Sequence, residues 1–328
     1  MTILKVANRA HDFDEFNGFV EFTTVNTFDN AYVKNSVASP INEIDTVTHA
    51  SLIVSGVTTD YWLHFRGYPV DVGSDGSSGQ SWLQFFNSSG VLVADLIKDG
   101  NVSNNSKIRV YGTSTVTSTL TVNFVVNTAI FLDFHITVSG LTTTVNVYVN
   151  GAFAFATTNT NNGSRGIPVK AQMRSANVGY STMNKMFFSE FIVANSSTVG
   201  MRLDEQEPST LGTYQDMTGV VGNLNNADPK LGILATGVGQ RTSWNPETYT
   251  GSGNIAAVVS SIRAHRKSGS PSKLAHFLRI SGVNYDGSDV SIADYTQTQN
   301  IWSVNPATGL PWVTADMSGI EFGFKSAA

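Results

Sequence analysis

In Thr143-Thr-Val-Asn-Val-Tyr-Val-Asn-Gly-Ala-Phe-Ala-Phe-Ala156, Val145, Val147 and Val149 alternate with Thr144, Asn146 and Tyr148. Successive side chains of a strand point to opposite faces, so this run reads as a strand with one buried and one wet face. Asn150-Gly151 tolerates positive φ at both positions and predicts a tight turn, after which Ala152–Ala156 returns antiparallel.

Outward from this hairpin, short apolar runs separated by Gly, Asn and Ser clusters fill the chain from about residue 50 to 192, the spacing of sandwiches and barrels. Composition agrees. Of 328 residues, 97 are Ser, Thr or Asn, while charged residues make up only 14%. A long helical bundle needs charged outer faces, so the chain reads as all-β. The acidic and Pro-containing stretch Leu203-Asp-Glu-Gln-Glu-Pro-Ser-Thr210 predicts a boundary. The expected organisation is a β domain over 1–202, a linker over 203–214 and a smaller β-sandwich over 215–328. In the latter, Leu231–Thr236 is an expected strand, and Ile255–Ala264 and Leu274–Ile280 an expected hairpin around Lys267-Ser-Gly-Ser-Pro-Ser272.

Several function classes fall away. With 20 Lys and Arg against 25 Asp and Glu, the net charge is −5, and the basic footprint of a nucleic-acid binder is missing. Zero cysteines exclude a disulfide framework, a thiolate metal site and a Cys nucleophile. No apolar run has the length of a membrane span, and the first ten residues lack a signal-peptide pattern, so synthesis without a targeting address is expected. Glycosidases need two carboxylates about 5–10 Å apart. Between Glu43 and Glu190 there is no Glu, and Asp60, Asp71, Asp75, Asp95, Asp99 and Asp133 never pair within one apolar strand. An enzyme is not expected. The six histidines form no zinc motif.

Two local features invite ligands. Asp71-Val-Gly-Ser-Asp-Gly-Ser-Ser-Gly79 offers oxygen ligands from Asp71 and Asp75 to Ca²⁺, with Asp95 and Asp99 able to complete a cage; the alternative is a solvated loop of turn formers. Arg263, Arg266, Lys267, Lys273 and Arg279 form the one cationic cluster, expected on one face of the 255–280 hairpin, where it is either a solvated face or a docking surface that meets Asp204, Glu205 and Glu207 in the chain or on a neighbouring subunit, with an anionic glycan or lipopolysaccharide phosphate behind these. Trp62 and Trp82 read as core residues, and His64 and His135 as hydrogen-bonded strand histidines. Trp312 plugs the end of the second sandwich or faces a partner.

Val145-Asn-Val-Tyr-Val-Asn-Gly151, Phe187-Phe-Ser-Glu-Phe-Ile-Val-Ala194, Tyr61-Trp-Leu-His-Phe65 and Trp82-Leu-Gln-Phe85 together resemble concanavalin A-like and laminin-G-like jelly rolls over about residues 12–202. Leu211-Gly-Thr-Tyr214, Arg263-Ala-His-Arg266, Asn305-Pro-Ala-Thr-Gly-Leu-Pro-Trp-Val-Thr314 and Ile320-Glu-Phe-Gly-Phe-Lys325 resemble the end of tailed-bacteriophage virion structural proteins. That resemblance implies a non-enzymatic tail, fibre, spike or head-decoration subunit exposed on the virion. It would dock to other virion proteins and form a homo-oligomer, expected to be a trimer. The rival readings are a carbohydrate-binding adhesin that recognises a host surface glycan and, behind it, a glycan-degrading enzyme. Exposed aromatics beside Asn and Asp would favour the adhesin.

Overall fold

The computed structural model describes residues 1–9, 12–17, 20–22, 36–38, 48–71, 81–99, 105–175, 185–224, 232–267 and 269–328. The chain divides into two compact units, Met1–Leu203 and Asp204–Ala328. No described helix is long and apolar enough to cross a membrane.

The first unit is built from β1 (Ile3–Ala7), β2 (Glu15–Asn17), β3 (Val20–Phe22), β4 (Ser36–Ala38), β5 (Thr48–Ile53), β6 (Asp60–Asp71), β7 (Ser81–Phe86), β8 (Leu92–Lys98), β9 (Asn105–Val110), β10 (Val116–Thr117), β11 (Val122–Asn123), β12 (Ile130–Ser139), β13 (Thr142–Val149), β14 (Ala152–Asn159), β15 (Lys170–Ser175) and β16 (Lys185–Ala194). They form two antiparallel sheets. The first runs β14-β13-β12-β6-β16-β4-β3, with β1 also on β16; the second runs β10-β9-β8-β7-β15-β5-β2, with β11 also on β9. Leu63, Phe65, Phe134 and Val147 of the first sheet meet Phe85, Leu96, Ile108 and Ala171 of the second in one core. Phe85 and Phe134 lie 5.7 Å apart across it. This is a jelly-roll sandwich, and the β13–β14 hairpin turns at Asn150 and Gly151, both with positive φ.

The second unit has β17 (Pro208–Gln215), β18 (Arg241–Pro246), β19 (Val258–Ala264), β20 (Lys273–Ile280), β21 (Val283–Asp286), β22 (Val290–Ser291), β23 (Thr296–Trp302) and β24 (Glu321–Ala327). A six-stranded sheet, β17-β18-β24-β20-β21 with β22 on β20, faces the two-stranded sheet β19-β23. Trp244, Leu278, Phe322 and Phe324 pack with Val258 and Trp302 between them.

Three expectations change. Residues 208–214 are strand rather than linker: β17 is an outer strand of the second unit, paired with β18. Leu231–Thr236 makes only an isolated bridge, Leu234 to Thr218, among its described residues. The 255–280 hairpin does not form, because β19 pairs along its length with β23 while β20 pairs with β24. The intervening loop therefore carries the chain from one sheet to the other.

Candidate functional site

Along β6 the core takes Tyr61, Leu63 and Phe65, which leaves Trp62, His64 and Arg66 on the opposite face. Register then aligns Trp62 with His135 of β12, and His135 with Asn146 of β13. Trp62 is thus not in the core between the sheets. It is covered from outside by His135, the two rings stacked at 4.1 Å and 9°. Tyr148 lies 5.6 Å from Trp62, and Phe153 5.6 Å from Tyr148. Phe153 is brought to this face by the irregularity in the β13–β14 register at Val147/Tyr148, and it is 58% exposed.

Polar groups flank these rings. His135 Nε2 donates to Asp60 Oδ1 at 2.8 Å, and Asn146 Nδ2 donates to His135 Nδ1 at 3.3 Å, contacts that together assign the Nε2–H tautomer. The hydrogen bond from His135, and then that from Thr59, hold the Asp60 carboxyl below its ordinary value. Thr144 and Thr158 share a hydroxyl–hydroxyl bond of 3.0 Å one row away. The result is a partly open surface of ring faces and edges beside an amide, an imidazole, a carboxylate and hydroxyls. Such a surface can stack on the apolar face of a sugar ring and exchange hydrogen bonds with its hydroxyls.

Farther along the same face the polar groups are sealed. His64 Nδ1 and Thr198 Oγ1 both donate to Asp133 Oδ1, at 2.9 and 2.7 Å. Glu190, fully buried and with φ of 56°, receives Arg202 through Nε and Nη2 at 2.7 and 2.9 Å and Arg66 at 3.5 Å. On the other sheet the buried Asp95 takes Arg109 Nε at 2.9 Å, Ser81 Oγ and Tyr111 Oη; burial first, then Asp95, push the Tyr111 phenol up to about 12. Glu190 and Asp95 are bound by guanidinium groups, and Asp133 by an imidazole and a hydroxyl on its Oδ1, contacts that join neighbouring strands.

The residues singled out in the sequence are dispersed. Asp71 is the last residue of β6, and Asp75 lies outside the described residues. Asp95 and Asp99, offered to complete a Ca²⁺ cage, are instead paired with Arg109 and with Lys107 at 2.9 Å. Among the described residues no cluster of three or more His, Asp or Glu could hold a metal. The cationic cluster is split because its two strands belong to different sheets. Arg263 lies over Tyr295 at 4.7 Å, and Arg266 Nε donates to the Gly269 carbonyl at 2.8 Å. Arg279, on β20, pairs with Glu321 at 3.6 Å, and Lys267 and Lys273 are exposed. Trp312 is buried and donates its Nε1–H to the Trp302 carbonyl at 2.7 Å, so it is a core plug and not a docking surface. The outer-face row was missed because Trp62 and His135 sit in apolar runs. The alternation Tyr61, Leu63, Phe65 against Trp62, His64, Arg66 was the signal that places them.

No protein-family model matches the chain, and no curated protein matches it. Among solved structures it is similar to the binding domain of Paraclostridial Mosquitocidal Protein 1 (12% identity over 59% of this chain and 44% of that one, TM-score 0.36). It is also similar to Caenorhabditis elegans galectin LEC-6 (13%, 44% and 89%, 0.29) and to the binding domain of botulinum neurotoxin DC in complex with rat synaptotagmin II (8%, 87% and 72%, 0.41). The chain spans less than half the length of the first of these.

Proposed function

We propose that the chain is a non-enzymatic binding protein whose first unit recognises carbohydrate on the outer face of the β14-β13-β12-β6 sheet. The observation that carries this reading is the exposed Phe153 ring running on to Tyr148, with Asn146, His135 and Asp60 beside it. Aromatic rings supply a low-entropy stacking platform, and the flanking amide, imidazole and carboxylate give directional selection among hydroxyl patterns. The order of the C-terminal motifs supports a setting on a phage particle, where such a unit would engage a host surface glycan and the second unit would dock to other virion proteins through exposed cations such as Lys267 and Lys273.

A glycan array probed with the full chain tests the binding. Retention of one glycan class, lost on Phe153→Ala together with Asn146→Ala while the melting temperature stays within a few degrees, is the expected result. Binding untouched by both substitutions, or no binding by folded protein, overturns the assignment of this face. Incorporation into particles of a Lys267→Ser, Lys273→Ser variant tests the virion docking separately; unchanged incorporation counts against it.

A further inference from the structure

We infer that the first unit self-associates through strand β14, which pairs antiparallel with β14 of a second copy across a two-fold axis. Six strands of this unit pair on one side only among the described residues, and five are shorter than β14: β1 with five residues including Lys5, β3 with three including Glu21, β2 with three including Glu15, and β10 and β11 with two each. The sixth, β14, has eight. One side of β14 is satisfied by β13; its outward-facing N–H and C=O groups have no backbone partner among the described residues. Soluble proteins ordinarily protect such an edge with charged side chains, Pro, a bulge or a covering segment, and of these β14 carries only the irregularity opposite Val147 and Tyr148. Here the sequence from Ile136 to Ser164 contains no charged residue, no histidine and no proline.

A strand is the ligand that an open edge selects, and the side chains identify which strand. Beyond the exposed Phe153, the exposed side chains Ala154, Ala156 and Thr158 are small, so two identical edges can approach closely there. The edge carries no charge, so two copies meet there without the like-charge repulsion that the rest of a −5 chain would impose. The far end is already closed, since Asn159 Nδ2 donates to the Val110 and Ser114 carbonyls and Thr113 N–H to the Asn161 carbonyl. The free stretch is therefore Ala152–Thr158. Pairing about this stretch joins the two sheets into one and sets two copies of the outer face side by side, but the inference does not depend on what that face binds.

The test is the mass of the full chain by light scattering, beside Ala156→Lys and Thr158→Lys, with Ser88→Lys in the exposed turn between β7 and β8 of the other sheet as the control. A wild-type dimer that becomes a monomer in both β14 variants and persists in the control, with unchanged melting temperature, is the expected result. Because the chain has no cysteine, Ala154→Cys, Ala156→Cys and Thr158→Cys give a second readout: at least one should form a covalent dimer on mild oxidation. A wild-type monomer, a trimer, or a dimer indifferent to both lysines with no cross-link at any of the three positions overturns the inference.

Discussion

The indole of Trp62 and the imidazole of His135 lie face to face, 4.1 Å apart and within 9° of parallel, on the outside of a sheet whose inner face holds Tyr61 and Ile136. The stack makes Trp62 a buried residue without placing it between the sheets. It also fixes the plane in which His135 reaches Asp60 and Asn146. Trp62→Ala should cost about 3 kcal/mol and His135→Ala about 1 kcal/mol, with a coupling of about 1 kcal/mol in the double mutant. Urea denaturation of the four proteins measures it; additive effects would show that the two rings do not support one another.

Glu190 is fully buried between Arg66 and Arg202 in a left-handed backbone conformation. Removing one partner of a buried pair leaves an uncompensated charge, so Glu190→Gln should destabilise by about 3–5 kcal/mol. Arg202 belongs to the segment that crosses the outer face just before the unit boundary, and hydrogen exchange at residues 196–203 should rise with it.

In the second unit His276 is buried, its Nδ1 2.9 Å from Ser260 Oγ, and burial lowers its pKa from 6.5 to about 4. The unfolded chain therefore binds a proton below pH 6.5 that the folded unit refuses until about pH 4. Stability should fall as the pH drops through that window, by up to about 3 kcal/mol. Thermal melts between pH 7 and 4 should show the slope, and His276→Gln should flatten it.

A β-carbon at Gly323 would overlap the Phe277 ring, which packs directly on that glycine in the neighbouring strand. Gly323→Ala should destabilise the second unit by about 1–3 kcal/mol, the cost of overpacking a closed contact. Trp312→Ala should cost about 3–5 kcal/mol, and Trp312→Phe less, since it keeps most of the plug and loses the bond to the Trp302 carbonyl. Denaturant melts that left either site indifferent would remove it from the core.

Sequence alone determined what depends on period and local chemistry. The alternation in residues 143–149 and the Asn150-Gly151 turn specified the β13–β14 hairpin, and the same period marked Thr144, Asn146 and Tyr148 as the wet face before any partner was known. The apolar run at Trp82 marked core, while the one at Trp62 did so only in part, since its indole lies outside the core between the sheets. Tertiary structure decided which strand each run joined. Period two says which face a residue takes but not which sheet supplies the neighbour, and loop closure costs grow only slowly with length, so β23 could displace the nearer β20 as the partner of β19. That exchange separated Arg263 from Arg279. Likewise, His135 reaches Asp60, 75 residues away, and Glu190 reaches Arg66, 124 residues away, only through strand register. The outer-face row of Trp62, His135 and Asn146 and the buried ion pairs are therefore products of long-range pairing.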